Sequence, residues 1–203
     1  DVDTVILTGA AETGELFTSW RHGRAGGPRV FGETSGKNAL VITPAADYDL
    51  AVSDLVRSAF GHAGQKCSAA SLAILVGSAG TSERLRRQLI DAVTSVRVAW
   101  PEDLGAIMGP VITEPEGKLR RALTSLEEGE SWLVEPRQLD DTGRLWSPGL
   151  KDGVRPGAFC HLTEVFGPVR GIRRAATLDE AIELQNATDF GLTGGLHSLD
   201  DKE

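Results

Sequence analysis

Two residues of this chain have the types and settings of a nucleophile and a base. Cys67 lies in Gly61-His62-Ala63-Gly64-Gln65-Lys66-Cys67-Ser68, after a glycine-bearing turn and directly before an apolar run. A cysteine so placed leaves its backbone amide free to point at a ligand, where it could stabilise an oxyanion on a carbonyl attacked by the same residue's sulfur. Lys66, His62 or local dipoles would favour the thiolate, the reactive form. The plainer alternative is a buried structural thiol, a common fate of free cysteine. Glu33 lies in Phe31-Gly32-Glu33-Thr34-Ser35-Gly36-Lys37-Asn38, at the end of a short apolar strand. A carboxylate there faces a cleft and, with a raised pKa, takes a proton from water or thiol. Its plainer reading is a solvated loop glutamate. The turn Thr8-Gly9-Ala10-Ala11-Glu12-Thr13-Gly14 precedes a helix-like stretch and could cradle a phosphate at a helix N-terminus. It is not a G-x-G-x-x-G fingerprint.

Strand-like apolar runs alternating with amphipathic stretches must position these residues, which is the pattern of an α/β protein. Val5-Ile6-Leu7, Arg29-Val30-Phe31, Ala39-Leu40-Val41-Ile42 and the run 71–76 read as strands. Val52, Leu55, Val56, Ala59 and Phe60 recur at helical spacing, as do Leu85, Leu89, Val93 and Val96. Thr113-x-x-Glu116 and Thr177-x-x-Glu180 have the capping-box spacing, each expected to open a helix. Further strands are expected within 162–172 and around 192–196. Arg170 and Arg173 fall where an apolar strand would be expected in Val169 to Ala175, and two buried arginines in a central strand are costly, so an edge or an altered surface is expected there.

With 203 residues, 40% of them hydrophobic and 25% charged, the chain can bury a substantial core and is not disordered. A net charge of −8 and the lack of a basic run speak against nucleic-acid binding. No apolar stretch reaches membrane-spanning length. The two cysteines, Cys67 and Cys160, are too few for a disulfide framework, and no Cys/His spacing suggests a metal. A reduced, cytoplasmic setting is expected. Arginine outnumbers lysine about threefold, a bias expected of a GC-rich bacterial genome. Cys160 reads as structural, His62, His161 and His197 as packing or surface residues, and Tyr48 and the tryptophans as packing.

Leu7-Thr8-Gly9 with Gly14, the run 33–37, Gly64-Gln65-Lys66-Cys67, Glu164-Val165-Phe166-Gly167-Pro168, and Asn186 with Phe190-Gly191-Leu192 resemble, in order and spacing, the aldehyde dehydrogenase superfamily. Residues 33–39, 58–69 and 192–198 carry a narrower likeness to the Δ1-pyrroline-5-carboxylate (L-glutamate γ-semialdehyde) dehydrogenases, particularly those fused to proline dehydrogenase in bacteria. The resemblance implies an α/β fold, an open sheet with flanking helices. Residues 1–32 would be the last piece of a Rossmann-like NAD-binding domain and 33–203 a catalytic domain incomplete at its C-terminus. It implies Cys67 as nucleophile, Glu33 as activator of water, and NAD as cofactor, with NADP left open. Any flavin would sit on a fused proline dehydrogenase domain outside this chain.

By the same resemblance, Gly9, Ala10 and Gly14 lie near the pyrophosphate and the Thr34 backbone near the carboxamide. Glu164 holds the nicotinamide ribose, Phe166 lies beside the nicotinamide, and Ser68 helps hold a substrate α-carboxylate. Two departures stand out: Ala10 replaces a serine common in the superfamily, and Ser35 replaces a glycine. The expected partners are a small aldehyde and, in the full-length enzyme, further copies of the same chain. The piece by itself is expected to have little or no activity.

Overall fold

The computed structural model describes residues 2–21 and 27–203. The chain divides into two compact units, Asp1–Gly36 and Lys37–Glu203. In the first, β1 (Thr4–Gly9) pairs in parallel with β2 (Arg29–Thr34), Thr4 opposite Arg29 and Gly9 opposite Thr34. Parallel neighbours need a crossover, and α1 (Ala11–Ser19) lies on that path.

The second unit is built on a six-stranded sheet. In chain order its strands are β3 (Asn38–Ile42), β4 (Ala70–Val76), β5 (Ser131–Val134), β6 (Gly149–Asp152), β7 (Val169–Ala175) and β8 (Gly194–His197). They are arranged β5-β6-β7-β4-β3-β8, and every neighbouring pair except β5–β6 is parallel. β4 is buried along its whole length, as a strand covered on both faces must be, which is why its sequence is a continuous apolar run and does not alternate. Successive side chains go to opposite layers. Ala73 and Leu75 join Val52, Leu55, Phe60, Leu85 and Leu89 on the face covered by α2 (Tyr48–Phe60) and α3 (Glu83–Thr94). Leu72, Ile74 and Val76 join Cys160, Ala181 and Leu184 on the other, under α5 (Phe159–Leu162) and α6 (Leu178–Asn186). Among the described residues no helix is long and apolar enough to cross a membrane.

Several expectations need correction. The Thr113-x-x-Glu116 spacing does not cap a helix: α4 spans Gly117–Thr124, with Glu116 at its N-cap and no side-chain cap. Thr177 does cap α6 through the Glu180 amide at 3.2 Å, but Glu180 returns to the Ala176 amide, one residue earlier than in the usual reciprocal pair. The strand sought within 162–172 begins only at Val169, because 159–162 form a helical turn. Cys160 is therefore on a helix, buried, with burial pushing its thiol up. His161 is a packing residue, accepting from Gly157 N–H at Nδ1 and bonding the Leu184 carbonyl through Nε2.

The largest correction concerns the arginines. β7 lies between β6 and β4, not at an edge. Arg170 and Arg173 project to opposite faces; Arg170 is buried and bonds main-chain carbonyls, while Arg173 is only half-buried and leaves its Nε without a partner among the described residues. Arg173 reaches Val154 O at 2.7 Å.

Another buried cation, Lys151 on β6, donates to Ser125 O at 2.6 Å and lies 3.3 Å from Glu130, both side chains 1% exposed. Its ammonium also sits 5.0 Å from the Trp132 ring centre. Removing one member of such a pair strands the other charge, whereas removing both does not. Lys151→Met is thus expected to destabilise the unit by about 3–5 kcal/mol. Lys151→Met with Glu130→Leu should recover most of that loss in a denaturant titration, and equal losses would show that the pair is not coupled.

Candidate functional site

The second unit gathers its candidate residues at one edge of the sheet, where β3, β4, β7 and β8 begin. Lys37 precedes β3, Cys67 and Ser68 precede β4, Glu164 and Phe166 precede β7, and Thr193 precedes β8. Gly9, Ala10, Gly14, Glu33 and Thr34 belong to the first unit.

Cys67 is half-buried and follows a turn of unusual backbone. His62, Ala63 and Gly64 are all left-handed, with φ of 55°, 53° and 67°. Two of the three carry a Cβ, and such residues cost on the order of 1–3 kcal/mol each unless their surroundings hold them. Gln65 ties the turn outward: its side chain donates to Pro110 O at 3.3 Å and accepts from Ile112 N–H at 2.8 Å. Asn38, the first residue of β3, donates through Nδ2 to Cys67 O at 2.6 Å and Ala69 O at 3.0 Å, and accepts the Thr193 amide at 3.1 Å. One carboxamide thus fixes the entries to β4 and β8 against β3. The amides of Gln65 and Ala69 go to main-chain carbonyls. Among the described residues that of Cys67 has no such partner, as an oxyanion donor requires. Beside the turn lies a shallow depression of about 340 Å³ lined by Gly61, His62, Gln65, Ile107, Gly109 and Pro110.

Arg170 is the second organiser. It is 3% exposed and donates to Ala59 O, Gly64 O (3.2 Å), Gly167 O (2.7 Å) and Val169 O (2.7 Å). Ala59 is in the last turn of α2, where carbonyls lack helical partners and a cation is favoured by the helix dipole. Gly167 follows Phe166, itself left-handed at φ 52°. Burial pushes the Arg170 guanidinium down to about 9, opposed by Glu164, so it remains charged at neutral pH. Neither Asn38 nor Arg170 was singled out as a site residue from sequence. Asn38 stood inside the glutamate motif, and Arg170 stood out only as a charge in an apolar run.

In the first unit, Gly9 ends β1 and Thr34 ends β2, directly opposite each other, with Glu33 opposite Thr8. Ala10 is the N-cap of α1 and offers no side-chain cap. The hydroxyl of Ser35, a residue at φ 41°, accepts the Ala11 amide at 3.2 Å instead. The serine that replaces a glycine therefore stands in for the hydroxyl that Ala10 lacks. A Cβ on Gly14 would come within 3.2 Å of the Thr34 methyl, so glycine there keeps α1 close to β2.

A parallel sheet entered by a cysteine turn and a glutamate-phenylalanine loop, with a separate strand–helix–strand piece, defines a family. The aldehyde dehydrogenase family model matches residues 1–203, and the chain belongs to that family. Among solved structures it is similar to Proline Utilization A (PutA) from Corynebacterium freiburgense. That match has 56% identity and a TM-score of 0.93, over 100% of this chain and 20% of that one. It is also similar to 1-pyrroline-5-carboxylate dehydrogenase from Thermus with bound NAD, at 31% identity and a TM-score of 0.85, over 98% and 39% of the two chains. The acylating methylmalonate-semialdehyde/malonate-semialdehyde dehydrogenase of Mus musculus is 33% identical over 94% of this chain and 36% of its own length. The chain thus spans about a third of the curated relatives it matches.

Lys37 gives a test of the site's electrostatics. Burial pushes its ammonium from the usual 10.5 down to about 8; Arg170 acts in the same direction, while Cys160 and Glu164 oppose it. Below pH 8 folded and unfolded chains both hold the proton, and the cost of burying the charge is fully present. Between about 8 and 10.5 the unfolded chain holds more of it, so stability rises with pH. Relative to Lys37→Met, the wild-type protein should gain stability from pH 8 to 10 at up to about 1.4 kcal/mol per unit. A pH-independent difference in denaturant titrations would show that Lys37 keeps its proton.

Proposed function

We propose that the intact protein is an NAD-dependent dehydrogenase that oxidises L-glutamate γ-semialdehyde to L-glutamate in proline catabolism. The observation that carries this reading is the whole-chain likeness to Proline Utilization A at 56% identity. The 1-pyrroline-5-carboxylate dehydrogenase with bound NAD supports it.

In this reading the Cys67 sulfur attacks the aldehyde carbon, forming a C–S bond and a thiohemiacetal whose oxyanion the Cys67 amide stabilises. Bound NAD would supply the hydride acceptor for that carbon, which would be left as a thioester on Cys67. Glu33 takes a proton from water, the water oxygen attacks the thioester carbon, and the C–S bond breaks to release the acid and the thiolate. Ser68 contributes its hydroxyl to the substrate's α-carboxylate. Glu164 would hold the nicotinamide ribose, Phe166 would lie beside the ring, and the Thr34 backbone would meet the carboxamide. The turn holding Gly9, Ala10 and Gly14 meets the pyrophosphate. That turn fits the group, since α1 follows a parallel strand, Ala10 adds no side-chain cap, Ser35 takes only the Ala11 amide, and the helix N-terminus favours an anion. Glu12 in its first turn is the opposing charge. Residues 1–32 are read as the end of the cofactor domain and 33–203 as the catalytic domain of a cytoplasmic, bacterial homo-oligomer.

The acylating mouse relative raises a second reading, in which a thiol such as coenzyme A takes the acyl group. Glu33 favours water as acceptor, and the retained Cys67 and Glu33 argue against a non-catalytic module. In the full-length enzyme, NADH formation should be strongest with glutamate semialdehyde among a panel of aldehydes and should vanish in Cys67→Ala. Glu33→Gln should release one equivalent of NADH rapidly and then turn over about 10²- to 10⁴-fold more slowly. Activity confined to other aldehydes would sink the proline-pathway assignment. Turnover that requires an added thiol would favour the acylating reading.

A further inference from the structure

The left-handed turn 62–64 and the left-handed Phe166 lie on different loops; Gln65 closes the first locally on His62 O, but that bond does not link it to the second. Each strained stretch ends in a glycine carbonyl, Gly64 O and Gly167 O, and both carbonyls accept from the guanidinium of Arg170. The same group is anchored to Ala59 O and Val169 O. It stands on β7 in the middle of the sheet and is 3% exposed, so it has little freedom to follow either loop. Strained backbone persists only where its surroundings over-determine it, and four carbonyls on one planar, rigid donor set are such a surrounding.

We propose that Arg170 is a positioning residue that locks the turn presenting Cys67 to the loop carrying Glu164 and Phe166, so that the two move as one body. It touches neither substrate nor cofactor in this role. The inference rests on the reading of Cys67 as nucleophile and of Glu164 and Phe166 as the nicotinamide side. Its consequence is kinetic: a misplacement near 1 Å between reacting groups costs about 10²-fold in rate.

The test uses the full-length enzyme with Arg170→Lys and Arg170→Gln, and with Arg173→Gln, on the opposite face of β7, as control. A lysine ammonium keeps the charge but cannot span four carbonyls. Hydrogen exchange reads the coupling without NAD or aldehyde. In folded Arg170→Lys, amides of 61–67 and of 164–167 should both exchange at least tenfold faster, with β4 unchanged. Acceleration of only one segment, or of neither, overturns the proposal. In turnover, the first-turnover rate of NADH formation should fall at least tenfold in Arg170→Lys and further in Arg170→Gln. The aldehyde KM should stay within threefold, and Arg173→Gln should match wild type. An unchanged first-turnover rate in an active enzyme also overturns it. If neither Arg170 variant folds, the wild-type enzyme decides: a shared opening protects both segments equally, and protection differing more than tenfold overturns the proposal. Failure of wild type to form NADH would instead count against the proposed reaction and leave the exchange reading intact.

Discussion

Where a parallel strand begins, the carbonyls of the incoming loop have no ladder partner, and in a sheet covered on both faces water does not supply one. An unpaired buried carbonyl costs as much as a lost hydrogen bond. The second unit brings four such loops to one edge, and its site is organised by how those carbonyls are satisfied. Asn38 takes those of Cys67 and Ala69, and Arg170 takes those of Ala59, Gly64, Gly167 and Val169. Two polar side chains at the starts of β3 and β7 thus do for the loops what the ladder does for the strands. The position of Cys67 follows from the placement of these two groups.

The same unit buries several cations in an otherwise apolar interior, and each is handled differently. Arg170 spreads its charge over main-chain oxygens, Lys151 has an ion pair, a carbonyl and an aromatic face, and Lys37 loses proton affinity. All three side chains are buried, and burying a charge is unfavourable unless it is compensated; what differs is the available compensation. Arginine, with five donors in a plane, suits a place where several carbonyls converge.

Much of the architecture could be read from sequence because it follows from periodicity. The apolar run of β4, the i, i+3, i+4 pattern of α2 and the glycine turn after β1 each have a direct physical cause in the side chains they contain. The short strands β5 and β6 escaped, since four residues each, two of them in β6 being Gly149 and Lys151, carry no readable period. The false cap at Thr113 shows that spacing alone does not make a helix start when Glu116 and Gly117 follow in another conformation. Cys67 and Glu33 were legible as chemistry because each stands alone in a glycine-rich setting. Arg170 was legible only as a misfit, because its partners are backbone atoms some hundred residues away in sequence, which no local pattern reports.

Gly64 illustrates how such a design constrains change in the chain. An added Cβ there would lie 1.7 Å from the Arg170 guanidinium and 2.5 Å from Gly167 O, on a backbone at φ +67°. The arginine cannot swing aside without abandoning its other carbonyls, and any replacement for it leaves them unpaired. Position 64 is therefore closed to a side chain by its own backbone and by the Gly167 carbonyl, and the guanidinium adds a third barrier. Any side chain at that glycine must push against the main chain of the loop that carries Phe166, so the cysteine turn has no room to drift toward it.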